Sequence, residues 1–255
     1  AAARWPKPPL PTRKTPPAPA PPLSAQRGDS NSDLDQPSDL ADALLEAGCV
    51  RFGQFTLKSG LRSPIYLDLR QLIAAPALLR RVAAAYAPLL RQLHFDRLAA
   101  LPYAALPIAV TISLQNEWPM VYPRKEAKDY GTAAVVEGTY AAGERVVIID
   151  DLATTGGSKF EAIDKLKAVG LIVEDVVVLI DRQSGAAEAL AAAGYRLHAV
   201  LTLSAMLDHW EQTGRIPAEQ IAATRAFLNG FRRLINLETH LTPSNMLHAP
   251  DQAHH

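Results

Sequence analysis

The sequence predicts an α/β fold with a central parallel sheet flanked by helices. Residues 145–181 contain an apolar strand, RVVIID, an amphipathic helix, SKFEAIDKLKAVG, and a second apolar strand, DVVVLID. Strands that are apolar on both faces are typical of sheets covered by helices on both sides. A strand, a helix and a strand within about 35 residues form a βαβ unit, in which the two strands must be parallel.

Composition narrows the class of protein. The chain has 255 residues and is 48% hydrophobic, which is enough to bury a sizeable core. Lys plus Arg equals Asp plus Glu at 26 each, so no net field favours nucleic acid or a membrane surface as a partner. Cys49 is the only cysteine, which fits a reducing compartment, and we expect a cytoplasmic protein. Pro102 and Pro107 interrupt the uncharged run 98–116, which favours a buried strand, turn and helix over a membrane span.

Proline content divides the chain. Residues 1–37 hold ten of the 20 prolines and cannot build a core, so they are predicted to form a disordered leader. The folded domain is predicted to span residues 38–238, and it begins with a short helix closed by Gly48. Residues 239–255 are predicted to be a loose tail.

Two adjacent acids end the first strand of the βαβ unit. Asp150 and Asp151 lie at its carboxyl end, where open parallel sheets bind their ligands. The loop that follows contains Gly156 and Gly157, which allow several backbone N–H groups to converge at a helix N-terminus and form a phosphate cradle. Carboxylates cannot serve that phosphate, but they suit the hydroxyl pair of a ribose or a magnesium ion reached through water. The combination predicts a ribose 5-phosphate site.

A simpler interpretation of the same stretch is structural. In it, Ser158 caps the helix and the two acids merely end a strand. The pattern GxxxxGK[ST] is absent, which argues against a P-loop nucleotidase.

Five blocks of the sequence, in order, resemble the motifs of orotate phosphoribosyltransferase. They are FTLKSGLRSPIYLDLR, LPYAALPIA, PRKEAKDYGT, VVIIDDLATTGGS and VVVLIDRQSGA. The stretches KDYGT and HAVLTLSAML are most similar to the phosphoribosyltransferase half of UMP synthase. The resemblance implies a type I phosphoribosyltransferase fold with a small N-terminal hood. It also implies a homodimer that uses Mg²⁺, carried by the substrate, to transfer ribose 5-phosphate from 5-phosphoribosyl 1-pyrophosphate to orotate in pyrimidine biosynthesis.

The resemblance assigns the end of the first strand of the βαβ unit, and the loop after it, to binding of the sugar phosphate. Asp150 and Asp151 would hold the ribose hydroxyls, and the loop after them would wrap the 5-phosphate. That loop consists of Leu152, Ala153, Thr154, Thr155, Gly156, Gly157 and Ser158.

The segment PRKEAKDYGT supplies positive charge. By composition alone it is a solvated surface loop, because its apolar residues follow neither the helical nor the strand period. The resemblance implies instead that the loop closes over the site, often from a neighbouring subunit, and that Arg124, Lys125 and Lys128 meet the pyrophosphate. Tyr130 stands where many bacterial relatives have His, which puts a His-specific acid role in doubt.

Recognition of the base is assigned to two other blocks. The resemblance places Lys58 in the substrate pocket and Tyr66 against the ring, while Arg182 would bind the carboxylate or a carbonyl edge of orotate. Two alternatives stay open: Tyr66 as a core residue, and Arg182 in an ion pair with Asp181 or Glu188.

One position departs from the family pattern. Relatives usually have Gly where this chain has Ala100, in the loop that meets pyrophosphate, while Tyr103 is in place. If that position needs a positive φ, Ala costs about 1 kcal/mol or more.

Two other functions are compatible with parts of the sequence. A phosphoribosyltransferase for another base would share the sugar-phosphate loop but lack the combination of the other blocks. A non-catalytic regulator that binds phosphoribosyl pyrophosphate would need a basic nucleic-acid face, which the neutral charge balance does not provide. A separate orotidine 5'-phosphate decarboxylase is a possible partner.

Overall fold

The computed structural model describes residues 37–56, 60–125 and 135–241. The chain begins with helix α1 (Pro37–Glu46) and an antiparallel hairpin of β1 (Val50–Thr56) and β2 (Arg62–Leu67). A 3₁₀ helix, Leu69–Ala74, leads from the hairpin into the main body. The remaining strands form one six-stranded sheet: β3 (Arg97–Ala100), β4 (Met120–Pro123), β5 (Val136–Glu137), β6 (Arg145–Ala153), β7 (Ile172–Asp181) and β8 (Arg196–Thr202).

The sheet has the order β5-β4-β3-β6-β7-β8, and all neighbouring pairs except β4 and β5 are parallel. Within the described residues, six α-helices follow the hairpin. They are α2 (Pro76–Leu90), α3 (Ala105–Asn116), α4 (Gly157–Ala168), α5 (Ala186–Ala192), α6 (Leu203–Gln212) and α7 (Ala218–Leu241). The predicted α/β class with a mostly parallel sheet is therefore confirmed.

Two hydrophobic clusters cover the two faces of the sheet. Alternate residues of β6 divide between them: Val147 and Ile149 pack with α2 and α3, whereas Val146 and Ile148 pack with α4 and α5. This division follows from the strand period of two. It explains why β6 and β7 are apolar on both sides, since neither face of either strand meets water.

Several predicted elements are confirmed. The uncharged run 98–116 forms strand β3, a turn and helix α3, and residues 145–181 form the predicted βαβ unit. One boundary was wrong: β6 continues through both acids to Ala153, because its pairing with β7 extends that far. Helix α7 runs to Leu241, three residues past the predicted domain end.

The predicted leader and tail fall almost wholly on residues 1–36 and 242–255, outside the described residues. Within the described ranges, none of the helices has both the length and the apolar content needed to span a bilayer.

Candidate active site

The order of the parallel strands reverses at β3. The chain passes from β3 to β4 on one side and then returns to β6 on the other. In open α/β sheets, ligands bind beyond the carboxyl ends of the strands at such a switch point. The two segments that meet there follow β3 and β6, and Leu101 donates its backbone N–H to the carbonyl of Ile149 at 3.0 Å.

Asp150 is held in a buried ion pair at this edge. Its Oδ2 lies 2.6 Å from Nζ of Lys159, and only 9% of its side chain is exposed. Its Oδ1 accepts the backbone N–H of Asp151 at 2.9 Å, and its carbonyl accepts the hydroxyl of the buried Tyr86 at 2.8 Å. Lys159 is not among the site residues predicted from the sequence. A lysine in the first turn of a helix opposes the helix dipole, and this position could have indicated a carboxylate partner.

Asp151 is only partly buried and has a different electrostatic environment. Burial, followed by the negative charge of Asp150 and a hydrogen bond with it, raises the pKa of Asp151 to about 7, with Lys159 opposing the rise. The pKa of Tyr86 is also raised, first by burial and then by the two acids. The ionised form of the Asp151 carboxylate is therefore disfavoured by its surroundings.

The glycine loop exposes a row of backbone donors. In the described part of the chain, the N–H groups of residues 155–158 donate to no protein atom. Gly156 has φ 92°, which requires glycine, and it precedes α4 without a side-chain cap. Ser158 is thus the second residue of the helix and not its cap, so that structural interpretation was wrong. Four free donors at a helix N-terminus form an anion-binding cradle.

Thr154 and Lys159 fix the shape of this cradle through their backbones. The carbonyl of Thr154 accepts the N–H of Ala186 at 3.0 Å, and the carbonyl of Gly156 accepts the N–H of Lys159 at 2.9 Å. Thr155, Gly157 and Ser158 are exposed, whereas Leu152 and Ala153 belong to β6 and not to the loop.

The positively charged segment begins beside the cradle. Arg124 follows β4 and pairs with Glu137 of β5, and its backbone N–H donates to the carbonyl of Val135 at 2.8 Å. Nζ of Lys165, on α4, donates to the carbonyls of Arg124 at 2.8 Å and of Lys125 at 3.1 Å. The beginning of the segment is therefore attached to the helix that follows the cradle. Lys128 and Tyr130 lie outside the described residues.

Tyr103 and Lys125 contact each other across the same edge. Nζ of Lys125 lies 5.3 Å from the ring centroid of Tyr103, and 65% of Tyr103 is exposed. Ala100 is buried in β3 and does not have a positive φ. The strain expected from Ala at this position is therefore absent.

The residues assigned to the base lie on separate elements. Tyr66 of β2 is half-buried, outside the hydrophobic core, and stacks on Phe55 with ring centroids 5.4 Å apart. Arg182 directly follows β7, and its guanidinium carbon lies 5.9 Å from the centroid of the Phe227 ring on α7. Burial lowers the pKa of Arg182. Lys58 lies outside the described residues.

Among the described residues, no three His, Cys, Asp or Glu side chains come together as a potential metal site.

Comparisons with known proteins agree with this geometry. The phosphoribosyl transferase domain family matches residues 68–193. The bifunctional enzyme PyrF/PyrE of a Nostoc species is 44% identical over 188 residues, which cover 74% of this chain and 39% of that protein. An orotate phosphoribosyltransferase of Caenorhabditis elegans is 38% identical over 175 residues, covering 68% of this chain and 77% of that protein.

Among solved structures, UMP synthase of Leishmania donovani is 51% identical, with a TM-score of 0.71, over 76% of this chain and 42% of that one. The chain thus spans about two fifths of the Nostoc and Leishmania proteins.

The doubly wound sheet, the cradle after β6 and the paired acids define a type I phosphoribosyltransferase. Within that class, the chain belongs to the orotate phosphoribosyltransferase family.

Proposed function

We propose that the chain transfers the 5-phosphoribosyl group of 5-phosphoribosyl 1-pyrophosphate to orotate, giving orotidine 5'-phosphate and pyrophosphate in pyrimidine biosynthesis. The bond between the anomeric carbon and the pyrophosphate oxygen breaks, and its electron pair leaves with pyrophosphate. A ring nitrogen of orotate forms the new bond to that carbon, and the proton of this nitrogen is released to solvent.

The free N–H groups of residues 155–158 beside Asp151 carry the proposal. Backbone donors at a helix N-terminus suit the dianionic 5-phosphate, and Thr154, Thr155 and Ser158 add hydroxyls around it. A carboxylate beside the cradle suits the ribose hydroxyls, which are hydrogen-bond donors. Asp151 is the accessible acid, whereas Asp150 is buried against Lys159.

Stabilisation of the leaving group falls to the positively charged segment. Negative charge grows on pyrophosphate as the sugar becomes cationic, and Arg124, Lys125 and Lys128 supply the opposite charge. Arg124 would exchange its present partner, Glu137, for pyrophosphate. Closure of the segment would also exclude water, which could otherwise hydrolyse the activated sugar.

Orotate would bind between Tyr66, Lys58 and Arg182. The planar guanidinium of Arg182 matches a carboxylate, and its partly buried position strengthens that interaction relative to water. Tyr66 offers a ring for stacking. Tyr130 stands where many bacterial relatives have His, so no His-specific acid role is assigned to it.

Magnesium would enter as part of the donor complex. It would neutralise the diphosphate, and its charge would favour the ionised form of Asp151, whose pKa is raised. We expect activity to be lost with a chelator and restored by Mg²⁺. A metal ion tightly bound to the purified, ligand-free protein, measured by elemental analysis, would contradict this proposal.

A homodimer would complete the site. Helix α3 exposes an apolar stripe in which Leu114 is 78% and Val110 44% accessible, and it continues to Tyr103 beside Lys125. Exposed apolar surface of this kind is typical of an interface. A second copy of the chain seated there would lie next to the positively charged segment.

A decarboxylase would consume the product. The Nostoc relative is a bifunctional enzyme, and we propose that an orotidine 5'-phosphate decarboxylase acts next, on the same chain or on a separate one. We place the reaction in the cytoplasm, where the free thiol of Cys49 would stay reduced.

The direct test is the loss of orotate absorbance when phosphoribosyl pyrophosphate and Mg²⁺ are added to the protein. We expect the wild-type protein to consume orotate and not to consume uracil or adenine when either is supplied in its place. The Asp151→Ala variant should not consume orotate. Consumption of another base in place of orotate would overturn the substrate assignment and keep the class of reaction.

A further inference from the structure

Lys159 is a buried lysine that the proposed chemistry does not use directly. Only 3% of its side chain is exposed, although it lies in the first turn of α4 beside an exposed loop. Lysine is almost never fully buried unless it is paired. The helix dipole also disfavours a cation at this position, so specific partners must retain it.

Three acceptors surround its ammonium group. Nζ lies 2.6 Å from Oδ2 of Asp150, donates to the carbonyl of Leu152, and lies 3.4 Å from Oγ of Ser158. An ammonium group has three N–H donors and no acceptor, so this set matches its capacity. The three partners belong to the strand, to the strand end and to the helix start.

The position of these partners gives the lysine a role in the geometry of the site. Asp150 precedes the accessible acid, Asp151, and Ser158 closes the phosphate cradle. One buried side chain therefore joins the two halves of the predicted sugar-phosphate site.

We propose that Lys159 is a positioning residue that fixes Asp150 and the cradle in the arrangement that receives ribose 5-phosphate. This inference rests on the proposed function and deepens it, since it assigns the rigidity of the donor site to a residue that touches no substrate. The buried pair Asp150 and Lys159 is neutral as a unit, so Asp151 faces the ligand as the remaining acid.

The test uses Lys159→Met, which keeps the length of the side chain and removes its charge and donors. Lys167→Met is the matched control, because Lys167 is exposed on the same helix. Binding of ribose 5-phosphate and of orotate is measured by calorimetry on the full chain. We expect Lys159→Met to weaken the binding of ribose 5-phosphate by at least about tenfold and to change the affinity for orotate by less than about twofold. Lys167→Met should leave both affinities unchanged.

A second measurement covers the case in which Lys159→Met does not fold. In wild-type protein with ¹⁵N-labelled lysine, the ammonium signal of Lys159 is assigned by its loss in Lys159→Arg. We expect that signal to be protected from exchange and to shift on titration with ribose 5-phosphate but not with orotate. A signal that does not move with ribose 5-phosphate would overturn the inference.

The outcomes separate this inference from the proposed function. Orotate consumption by wild type together with normal ribose 5-phosphate binding by folded Lys159→Met rejects the role of Lys159 alone. Tight ribose 5-phosphate binding that is lost in Lys159→Met, without orotate consumption by wild type, rejects the proposed reaction alone. Absence of ribose 5-phosphate binding in wild type would reject both.

Discussion

The two edges of the central sheet use charged residues in opposite ways. At the amino-terminal edge, Asp175 accepts hydrogen bonds from Nε of Arg196 at 2.7 Å and contacts Nε2 of His198 at 2.8 Å, while Arg97 bonds Glu144 at 2.6 Å. At the carboxyl-terminal edge, the cradle keeps its donors free and the carboxylate of residue 151 is destabilised. The named charges of the amino-terminal edge are all paired and stabilise the fold. The carboxyl-terminal edge also holds two pairs, Asp150 with Lys159 and Arg124 with Glu137, but its cradle donors have no partner among the described residues.

The largest expected effect is at the carboxyl-terminal edge. Lys128→Ala should lower kcat by about 100-fold or more, because the lost charge acts on the leaving pyrophosphate in the transition state. KM should change modestly, and the melting temperature hardly at all. Steady-state kinetics measure kcat and KM, and thermal unfolding measures the melting temperature. An unchanged kcat would show that Lys128 has no catalytic role.

Mixing two inactive variants tests whether the segment acts across a dimer. Lys128→Ala chains and Asp151→Ala chains should form hybrids in which one site has both an intact segment and an intact acid. Activity should return to about a quarter of wild type at random exchange, since half of the dimers are hybrids with one good site of two. No recovery in hybrids verified by mass spectrometry would reject delivery across the interface and leave the chemistry intact.

Arg182→Ala should separate recognition of the base from recognition of the sugar. We expect the KM of orotate to rise about 30-fold, corresponding to about 2 kcal/mol for a lost hydrogen bond to a charged group. The KM of phosphoribosyl pyrophosphate should change little. Equal losses for both substrates would indicate that Arg182 is structural, through its contact with Phe227.

The pH dependence of the free energy of unfolding should reveal the raised pKa of Asp151. The pKa of Asp151 is raised from 3.8 to about 7 in the folded protein. Folding therefore favours the protonated form, and this contribution is complete below pH about 4 and is lost as pH rises through about 7. Urea unfolding between pH 4 and 8 measures this change in the free energy of unfolding. In Asp151→Asn the change should be smaller than in wild type, by at most about 4 kcal/mol. A wild-type curve already flat in this range would contradict the assignment.

Binding should have the opposite dependence. Ribose hydroxyls donate to an ionised carboxylate, so affinity for ribose 5-phosphate should increase as pH rises through about 7. The same titration on Asp151→Asn provides the control, because its affinity should no longer follow the titration of this residue.

The smallest effect is expected at the amino-terminal edge. Asp175→Asn should reduce the free energy of unfolding by about 1 kcal/mol, because it weakens the hydrogen bonds from Arg196 and His198. Chemical denaturation measures this loss, and kcat should equal that of wild type. A loss of kcat without a loss of stability would show that the two edges do not divide their roles as proposed.

The sequence was sufficient to predict what depends on local pattern. The apolar runs gave the βαβ unit, and the two prolines within residues 98–116 correctly indicated a strand, turn and helix. The glycine pair located the helix start, because a positive φ is required at Gly156. These features are encoded within about fifteen residues each.

Features that depend on pairing across the fold were not predicted. The ion pair of Lys159 with Asp150 and that of Arg124 with Glu137 join elements whose relative position the periodicity does not specify. The end of β6 was misplaced because hydrogen bonding to β7 continues beyond the apolar run. The roles of Lys58, Lys128 and Tyr130 stay predictions.

Helix α4 sets a fixed distance within the site. Lys159 joins Asp150 to Ser158, and Lys165 donates hydrogen bonds to the carbonyls of Arg124 and Lys125. Six residues of α-helix separate these anchors by about 9 Å along the axis. If the cradle holds the 5-phosphate and Arg124 and Lys125 hold the pyrophosphate, as proposed, the helix fixes the distance between these two ends of the donor. We then expect a sugar one carbon longer or shorter to fit only one of the two ends.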